Sequence, residues 1–332
     1  MIPVSVLTGF LGSGKTTVLA RLLRRAEFSR TAVIINEFGE VGLDHDLVEA
    51  SDESLVQLQT GCLCCAVRGD LVRTLEDLLR RREEGTVPPF ERVLIETSGL
   101  ADPAPILQSL MLDAALAGRL ALHGVVATVD AVNGVETLRR QPESVKQVAV
   151  ADRLLLTKTD LAGDAQLVRQ QVTAINPSAP VIAATLGDVD PALIFAASDP
   201  VSAHRHHEHD DHHHAQTHAS NIAFFAIVRE EPIAAIALTL FLEALAEHCG
   251  ADLLRLKGII RVTENADRPA VIHGVQHVFH PPAWLERWPS ADRTSRLVFI
   301  TRGISRPWIE ALLAAIEAEV QTVSSAESLN GK

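Results

Sequence analysis

Hydrophobic and polar positions fall into two different regimes along the chain. Up to about residue 198, short runs rich in Val, Ile and Leu alternate with stretches whose apolar residues recur at helical spacing. Continuous apolar runs of this kind belong to strands buried on both faces, the mark of a parallel sheet covered by helices. The pattern predicts strands at residues 4–7, 31–35, 92–95, 123–129, 153–156 and 180–184, and helices at 15–26, 70–83, 105–117, 145–150 and 166–175. Residues 201–220 break the rhythm and cannot build a core. Beyond them the pattern predicts strands at 222–228, 253–262, 270–279 and 296–300 and helices at 234–248 and 306–320, with a polar tail from Gln321 expected to fray. The expected fold class is therefore α/β: a parallel sheet with helices on both faces over 1–200, a flexible linker over 201–220, and a smaller α+β domain over 221–325.

Composition narrows the function. A chain of 332 residues exceeds what one core usually covers, which agrees with two domains. Thirty Lys plus Arg against 42 Asp plus Glu gives a formal charge of −12, which repels a phosphate backbone and argues against nucleic acid as partner. Apolar segments are interrupted by charges well short of a membrane span, and the N-terminus enters a strand without a signal-peptide pattern, so no membrane and a cytoplasmic location are expected. Of four cysteines, Cys62, Cys64 and Cys65 are crowded together. In a reducing compartment such a cluster reads as metal binding or redox chemistry rather than a disulfide framework.

The most informative stretch follows the first apolar run: Gly9-Phe10-Leu11-Gly12-Ser13-Gly14-Lys15-Thr16. Strand, glycine-rich turn, Lys, hydroxyl and helix form a phosphate-binding loop, the loop of P-loop NTPases. Glycines let backbone N–H groups close on phosphates, Lys15 supplies a cation, and the Thr16 hydroxyl suits Mg²⁺. Gly12, Ser13, Gly14, Lys15, Thr16 and Thr17 are the candidate phosphate contacts. Glu96-Thr97-Ser98-Gly99-Leu100-Ala101-Asp102-Pro103 follows the third predicted strand, where such enzymes place an acid near Mg²⁺ and a glycine facing the γ-phosphate. Lys15, Glu96 and Gly99 are thus the candidate catalytic groups, and Asp102-Pro103 also fits a helix N-terminus. Asn36-Glu37-Phe38-Gly39-Glu40-Val41-Gly42 offers a second loop of the same switch-like kind. Thr157-Lys158-Thr159-Asp160 closes the fifth predicted strand: Asp160 would accept from the paired N–H donors of guanine, which adenine lacks, and the Lys158 stem would pack along the base. Thr157 stands where GTPases usually carry Asn.

Gly61-Cys62-Leu63-Cys64-Cys65 supplies soft thiolates suited to Zn²⁺, Cu⁺ or a related ion, with Cys62 and Cys64 on one face of an extended segment. Three thiols leave a tetrahedral site one ligand short, so water, Glu40 or another molecule would complete it, a geometry for exchange rather than permanent structure. Residues 204–218 carry eight of the 14 histidines, interspersed with Glu208, Asp210 and Asp211. Mostly neutral near pH 7, they are competent metal ligands, and a flexible segment of this length spans about 25 Å.

Taken together these residues resemble the CobW-like P-loop GTPases, also described as cobalamin-synthesis proteins or zinc chaperones. The resemblance rests on residues 9–16, 36–39, 62–65, 96–103 and 157–160, and extends to Leu253-Leu254-Arg255-Leu256-Lys257-Gly258 and Gly274-Val275-Gln276-His277. It implies a GTPase that uses GTP and Mg²⁺, binds Zn²⁺ (or Co²⁺) at Cys62, Cys64 and Cys65, and hands the metal to a client metalloprotein or metal-cofactor pathway. Two readings stand beside it: an accessory GTPase inserting cobalt or nickel, and a His-rich metal buffer with a vestigial nucleotide site. Assembly as a homo-oligomer is left open.

Overall fold

The computed structural model describes residues 1–37, 55–59, 67–196 and 221–330. They divide into two compact units, Met1–Ser198 and Asp199–Lys332. Among its described residues the first contains seven parallel strands: β1 (Ile2–Gly9), β2 (Thr31–Glu37), β3 (Leu55–Gln59), β4 (Arg92–Glu96), β5 (Leu120–Asp130), β6 (Arg153–Thr157) and β7 (Val181–Ala184). Their order is β3-β2-β4-β1-β5-β6-β7. β1 is central because its side chains are apolar on both faces: Val4, Val6 and Leu7 are all fully buried. The connections run outward in opposite directions on either side of β1, and an open parallel sheet binds its ligands beyond the carboxyl ends of the strands at such a reversal. Register carries the chemistry to that edge, with Leu7 opposite Glu96 and Gly9 opposite Thr128.

The helices of this unit are α1 (Lys15–Leu23), α2 (Val67–Glu83), α3 (Ala104–Leu112), α4 (Gly134–Arg140), α5 (Pro142–Val150), α6 (Gln166–Ile175) and α7 (Pro191–Phe195). Val18, Leu19 and Leu22 of α1 close a core with Leu7, Leu94, Val126, Leu155 and Ile194. α1 stops three residues earlier than its apolar spacing suggests, because Ala26–Phe28 winds into a separate 3-10 turn that buries Phe28. β3, α4 and α7 lie outside the predicted elements. Each is short, and β3 is an edge strand whose Leu-Val-Gln-Leu-Gln has no long apolar run to mark it.

The second unit is an antiparallel sheet of β8 (Ile222–Arg229), β9 (Leu253–Ile260), β10 (Ala270–Val275), β11 (Val278–Phe279), β12 (Ala283–Trp284) and β13 (Ser295–Arg302). α8 (Ala235–Cys249) and α9 (Arg306–Asn330) bury Leu238, Phe241, Leu245, Ile309 and Leu313 in its core. Phe225 and Phe299 stack there with ring centroids 5.2 Å apart. Two expectations need correction. The stretch 270–279 is not one strand: Gln276 takes φ 55° and folds it into a hairpin pairing Gly274 with Phe279. The backbone of α9 also stays helical to Asn330, through the tail expected to fray.

A nucleotide-binding edge on the parallel sheet

The loop after β1 has a shape only glycine permits at its start. A Cβ on Gly9 would lie 2.2 Å from the Thr128 hydroxyl and 2.5 Å from the Thr128 carbonyl oxygen, and φ there is 141°. Gly12 and Gly14 also take positive φ, at 69° and 90°, and Gly14 forms the N-cap of α1. Backbone amides therefore converge at a helix N-terminus, the arrangement that receives phosphate. Lys15, only 8% exposed, curls back across the loop and donates to the carbonyl oxygens of Gly9 (2.8 Å) and Phe10 (3.3 Å). The ammonium is thus held where a phosphate would sit.

Each neighbouring strand contributes a bond that holds the loop. Ser13 Oγ meets Thr128 Oγ1 at 2.6 Å. Thr157 Oγ1 donates to the Ser13 carbonyl oxygen at 2.6 Å, with the Val129 carbonyl oxygen 3.2 Å away. In the position usually occupied by Asn, Thr157 is therefore committed to the phosphate loop and 2% exposed. Thr16 Oγ1 donates to Glu96 Oε1 at 3.1 Å, joining α1 to the end of β4. A hydroxyl beside a buried carboxylate is an oxygen donor set that fits Mg²⁺.

Gly99 faces this loop at close range. A Cβ there would stand 2.6 Å from the Leu11 amide nitrogen and 2.8 Å from its Cα, so glycine alone allows the approach. Asp102 turns the chain into α3, its Oδ1 accepting from the Ala104 amide at 3.0 Å.

The third loop, after β6, is more open. Lys158 takes φ 54°, Asp160 is exposed, and Thr159 Oγ1 lies 3.0 Å from Thr185 Oγ1. The turn Thr185–Gly187 also presses on α1, since a Cβ on Gly187 would come within 3.0 Å of Thr17 Cγ2. Thr17 and Thr159 are in this way both in contact with a turn that carried no motif.

Asp130 is the acidic residue that motif reading missed. It ends β5, and its carboxylate accepts from Lys158 Nζ (2.7 Å), Val132 N (2.7 Å), Asn133 N (3.1 Å) and Asn133 Nδ2 (3.1 Å). Burial pushes its pKa up, but the Lys158 and Asn133 hydrogen bonds and the backbone amides outweigh that and hold the carboxyl below its usual range. Its signal was available: an acid directly after an apolar strand, the same logic that singled out Glu96. Asp130, Asn133 and Lys158 line a cavity of about 150 Å³ beside Phe10 and Leu11.

The Cys-x-Cys-Cys residues Cys62, Cys64 and Cys65, together with Glu40, Gly39 and the His-rich stretch, lie outside the described residues. Among the described residues no group of three or more His, Cys, Asp or Glu side chains is placed to hold a metal ion, and no helix is long and apolar enough to cross a membrane.

Residues 3–183 match the family described as CobW/HypB/UreG, nucleotide-binding domain, and residues 222–317 match the cobalamin synthesis protein cobW C-terminal domain. Zinc chaperone YjiA of Escherichia coli (strain K12) is 34% identical over 316 residues, covering 95% of this chain and 98% of that protein. Zinc chaperone CobW of Sinorhizobium sp is 31% identical over 300 residues, 79% of this chain and 82% of that protein. The crystal structure of Zn(II)-bound YjiA GTPase from E. coli superposes with a TM-score of 0.71 at 29% identity, over 95% of this chain and 98% of that one.

Proposed function

Since the chain belongs to the CobW/HypB/UreG nucleotide-binding family and carries the CobW C-terminal domain, we propose that it is a GTPase metallochaperone that binds zinc and delivers it to a client metalloprotein. The observation that carries the nucleotide half is the Thr16 hydroxyl set against Glu96 beneath a glycine-shaped phosphate loop. Amides of Gly12, Ser13 and Gly14 hold the phosphates, and Lys15 exchanges its two carbonyl partners for phosphate oxygens. Thr16 and Glu96 hold Mg²⁺, which when bound neutralises charge on the phosphates. The Gly99 amide meets the γ-phosphate, and Thr17 lines the approach. With Thr157 already bonded to Ser13, guanine recognition falls to Asp160, with the Lys158 stem along the base.

The cargo half rests on Cys62, Cys64 and Cys65, with Glu40 of the loop after β2 as the candidate fourth ligand, and on relatives named as zinc chaperones. Thiolates accept Co²⁺ by the same chemistry. They need a reducing compartment such as the cytoplasm to stay available. The chain acts on GTP and on a client, without nucleic acid or membrane, and self-association is compatible with this scheme. In the cycle, loss of the γ-phosphate breaks its contacts with the Gly99 amide and with the loop after β2, and the metal site between them in sequence changes its affinity. The test compares GTP turnover with and without stoichiometric Zn²⁺, in the native protein and in a Cys62→Ala/Cys64→Ala/Cys65→Ala variant. Zinc is expected to change turnover only where the thiols are present; identical turnover in all four conditions refutes the coupling. A parallel Zn²⁺ titration with GTP-Mg²⁺ and then GDP should give two affinities, because transfer driven by hydrolysis requires that difference.

A further inference from the structure

The loop that carries Gly99 is gripped from behind by two consecutive residues of α5. Gln147, only 1% exposed, donates from Nε2 to the carbonyl oxygens of Gly99 and Ala101, both at 3.1 Å. The two acceptors fix which end of the amide points at the loop, because the reversed orientation would set oxygen against two oxygens. Lys146 Nζ lies 2.7 Å from Asp102 Oδ2. Between them, Gly99, Ala101 and Asp102 are all anchored to one turn of helix.

That turn is itself fixed. Asn176, fully buried, donates from Nδ2 to the carbonyl oxygens of Val148 (2.9 Å), Ala149 (3.2 Å) and Ala151 (2.8 Å), satisfying the acceptors a helix leaves open at its C-terminus. At the other end Ser144 Oγ donates to the Gln141 carbonyl oxygen at 2.9 Å. On its front side the Gly99 loop has no slack, being within van der Waals reach of Leu11. A loop packed this closely against the phosphate loop, by a helix whose ends are pinned, has its amide positioned before any ligand arrives.

We infer that Gln147 and Lys146 are positioning residues for the GTPase reaction: they hold the Gly99 loop at the distance where its amide distinguishes a nucleoside triphosphate from a diphosphate. The inference rests on the reading that Gly99 meets the γ-phosphate. Gln147 Nε2 and Lys146 Nζ both bond to the loop, and it is through the loop that they act on the nucleotide.

The experiment compares Gln147→Met, Lys146→Met and Lys146→Arg with the native protein and with Gly99→Ala, measuring turnover and the affinities for a non-hydrolysable GTP analogue and for GDP. Gln147→Met keeps the volume and removes the donor. It should lower turnover and analogue affinity about tenfold, while GDP affinity stays within about twofold. Lys146→Met should do the same to a smaller degree and Lys146→Arg should restore the native values, so the inference stays testable should the buried Gln147 variant fail to fold. If Gln147→Met and Lys146→Met lose analogue and GDP affinity in equal measure, the helix is merely structural and the inference is overturned. If both retain native discrimination while Gly99→Ala loses it, the clamp is overturned and the γ-phosphate reading stands. Should Gly99→Ala itself leave discrimination and turnover native, both fall together.

Discussion

The carboxyl edge of the parallel sheet and the core of the second unit are built on opposite rules. At the edge, Ser13, Lys15, Glu96, Thr97, Ser98, Thr128, Asp130 and Thr157 are all at most 8% exposed. Burying such groups is unfavourable unless each finds a partner, and here the partners are one another and the loop backbone: Ser13 with Thr128, Thr16 with Glu96, Thr97 with Thr8, Thr157 with Ser13. The second unit packs Phe225, Phe241, Phe299, Leu256 and Ile272 around an apolar centre, and its few buried polar side chains include Arg255, Ser295, which accepts from the Arg261 amide, and Thr301, which donates to the Ile304 carbonyl oxygen. One region spends its interior on holding polar groups ready, the other on cohesion. Stability should therefore be lost fastest by cutting the second, and ligand binding by cutting the first.

The largest effect sharpens that contrast from the cohesive side. Phe299 is fully buried and stacked on Phe225. Phe299→Ala should cost about 3–5 kcal/mol in the unfolding of the second unit, read by urea titration, with GTP affinity of the first unit within about twofold of native. A comparable loss of GTP affinity would break the contrast. Next comes Lys15→Met, which removes the ammonium proposed to bind phosphate. Affinity for GTP and GDP should fall about 100-fold, while the thermal midpoint without nucleotide holds or rises, because replacing a buried ammonium by an apolar chain relieves desolvation. A collapse of that midpoint would show that the edge, too, is there for cohesion.

The same contrast explains what was legible in the sequence. The core strands of both units announced themselves through apolar runs, and the phosphate loop through glycine, lysine and hydroxyl at fixed spacing. Glu96 and Gly99 stand out in the sequence as an acid and a glycine after a buried strand, and the structure sets them beside Thr16 and Leu11. Gln147 and Asn176 carried no signal: their roles lie in carbonyl oxygens 48 and 28 residues away, and a polar residue on a helix reads as solvent-facing until the packing is known. Asp130 was readable but passed over. β3 escaped for want of a long apolar run, and Gln276 at φ 55° shows how one left-handed residue divides what periodicity joins. Thr157 stands where Asn is usual, and its bond to Ser13 gives it a task in the phosphate loop.

Two smaller effects probe the open side of the edge, where the polar groups are least buried. Asp160 is exposed; under the proposed reading it accepts from a guanine donor pair that adenine lacks, so Asp160→Ala should lower the GTP over ATP preference about tenfold. Competition of the two nucleotides for binding measures this, and an unchanged ratio would move base recognition elsewhere. The smallest effect is acid-linked. Asp130 is held below its usual carboxyl range: burial opposes the charge, and the hydrogen bonds from Lys158, Asn133 and the Val132 amide more than offset it. A carboxyl with a depressed folded pKa contributes stability that is fully present above its unfolded value, near about 3.9, and is lost as pH falls through the folded one. The first unit should therefore lose stability below about pH 4 more steeply in the native protein than in Asp130→Asn, which has no charge to titrate. Thermal midpoints followed downward from neutral pH decide this. Parallel curves would mean that the Asp130–Lys158 pair adds nothing to folding and is kept for the position of Lys158 alone.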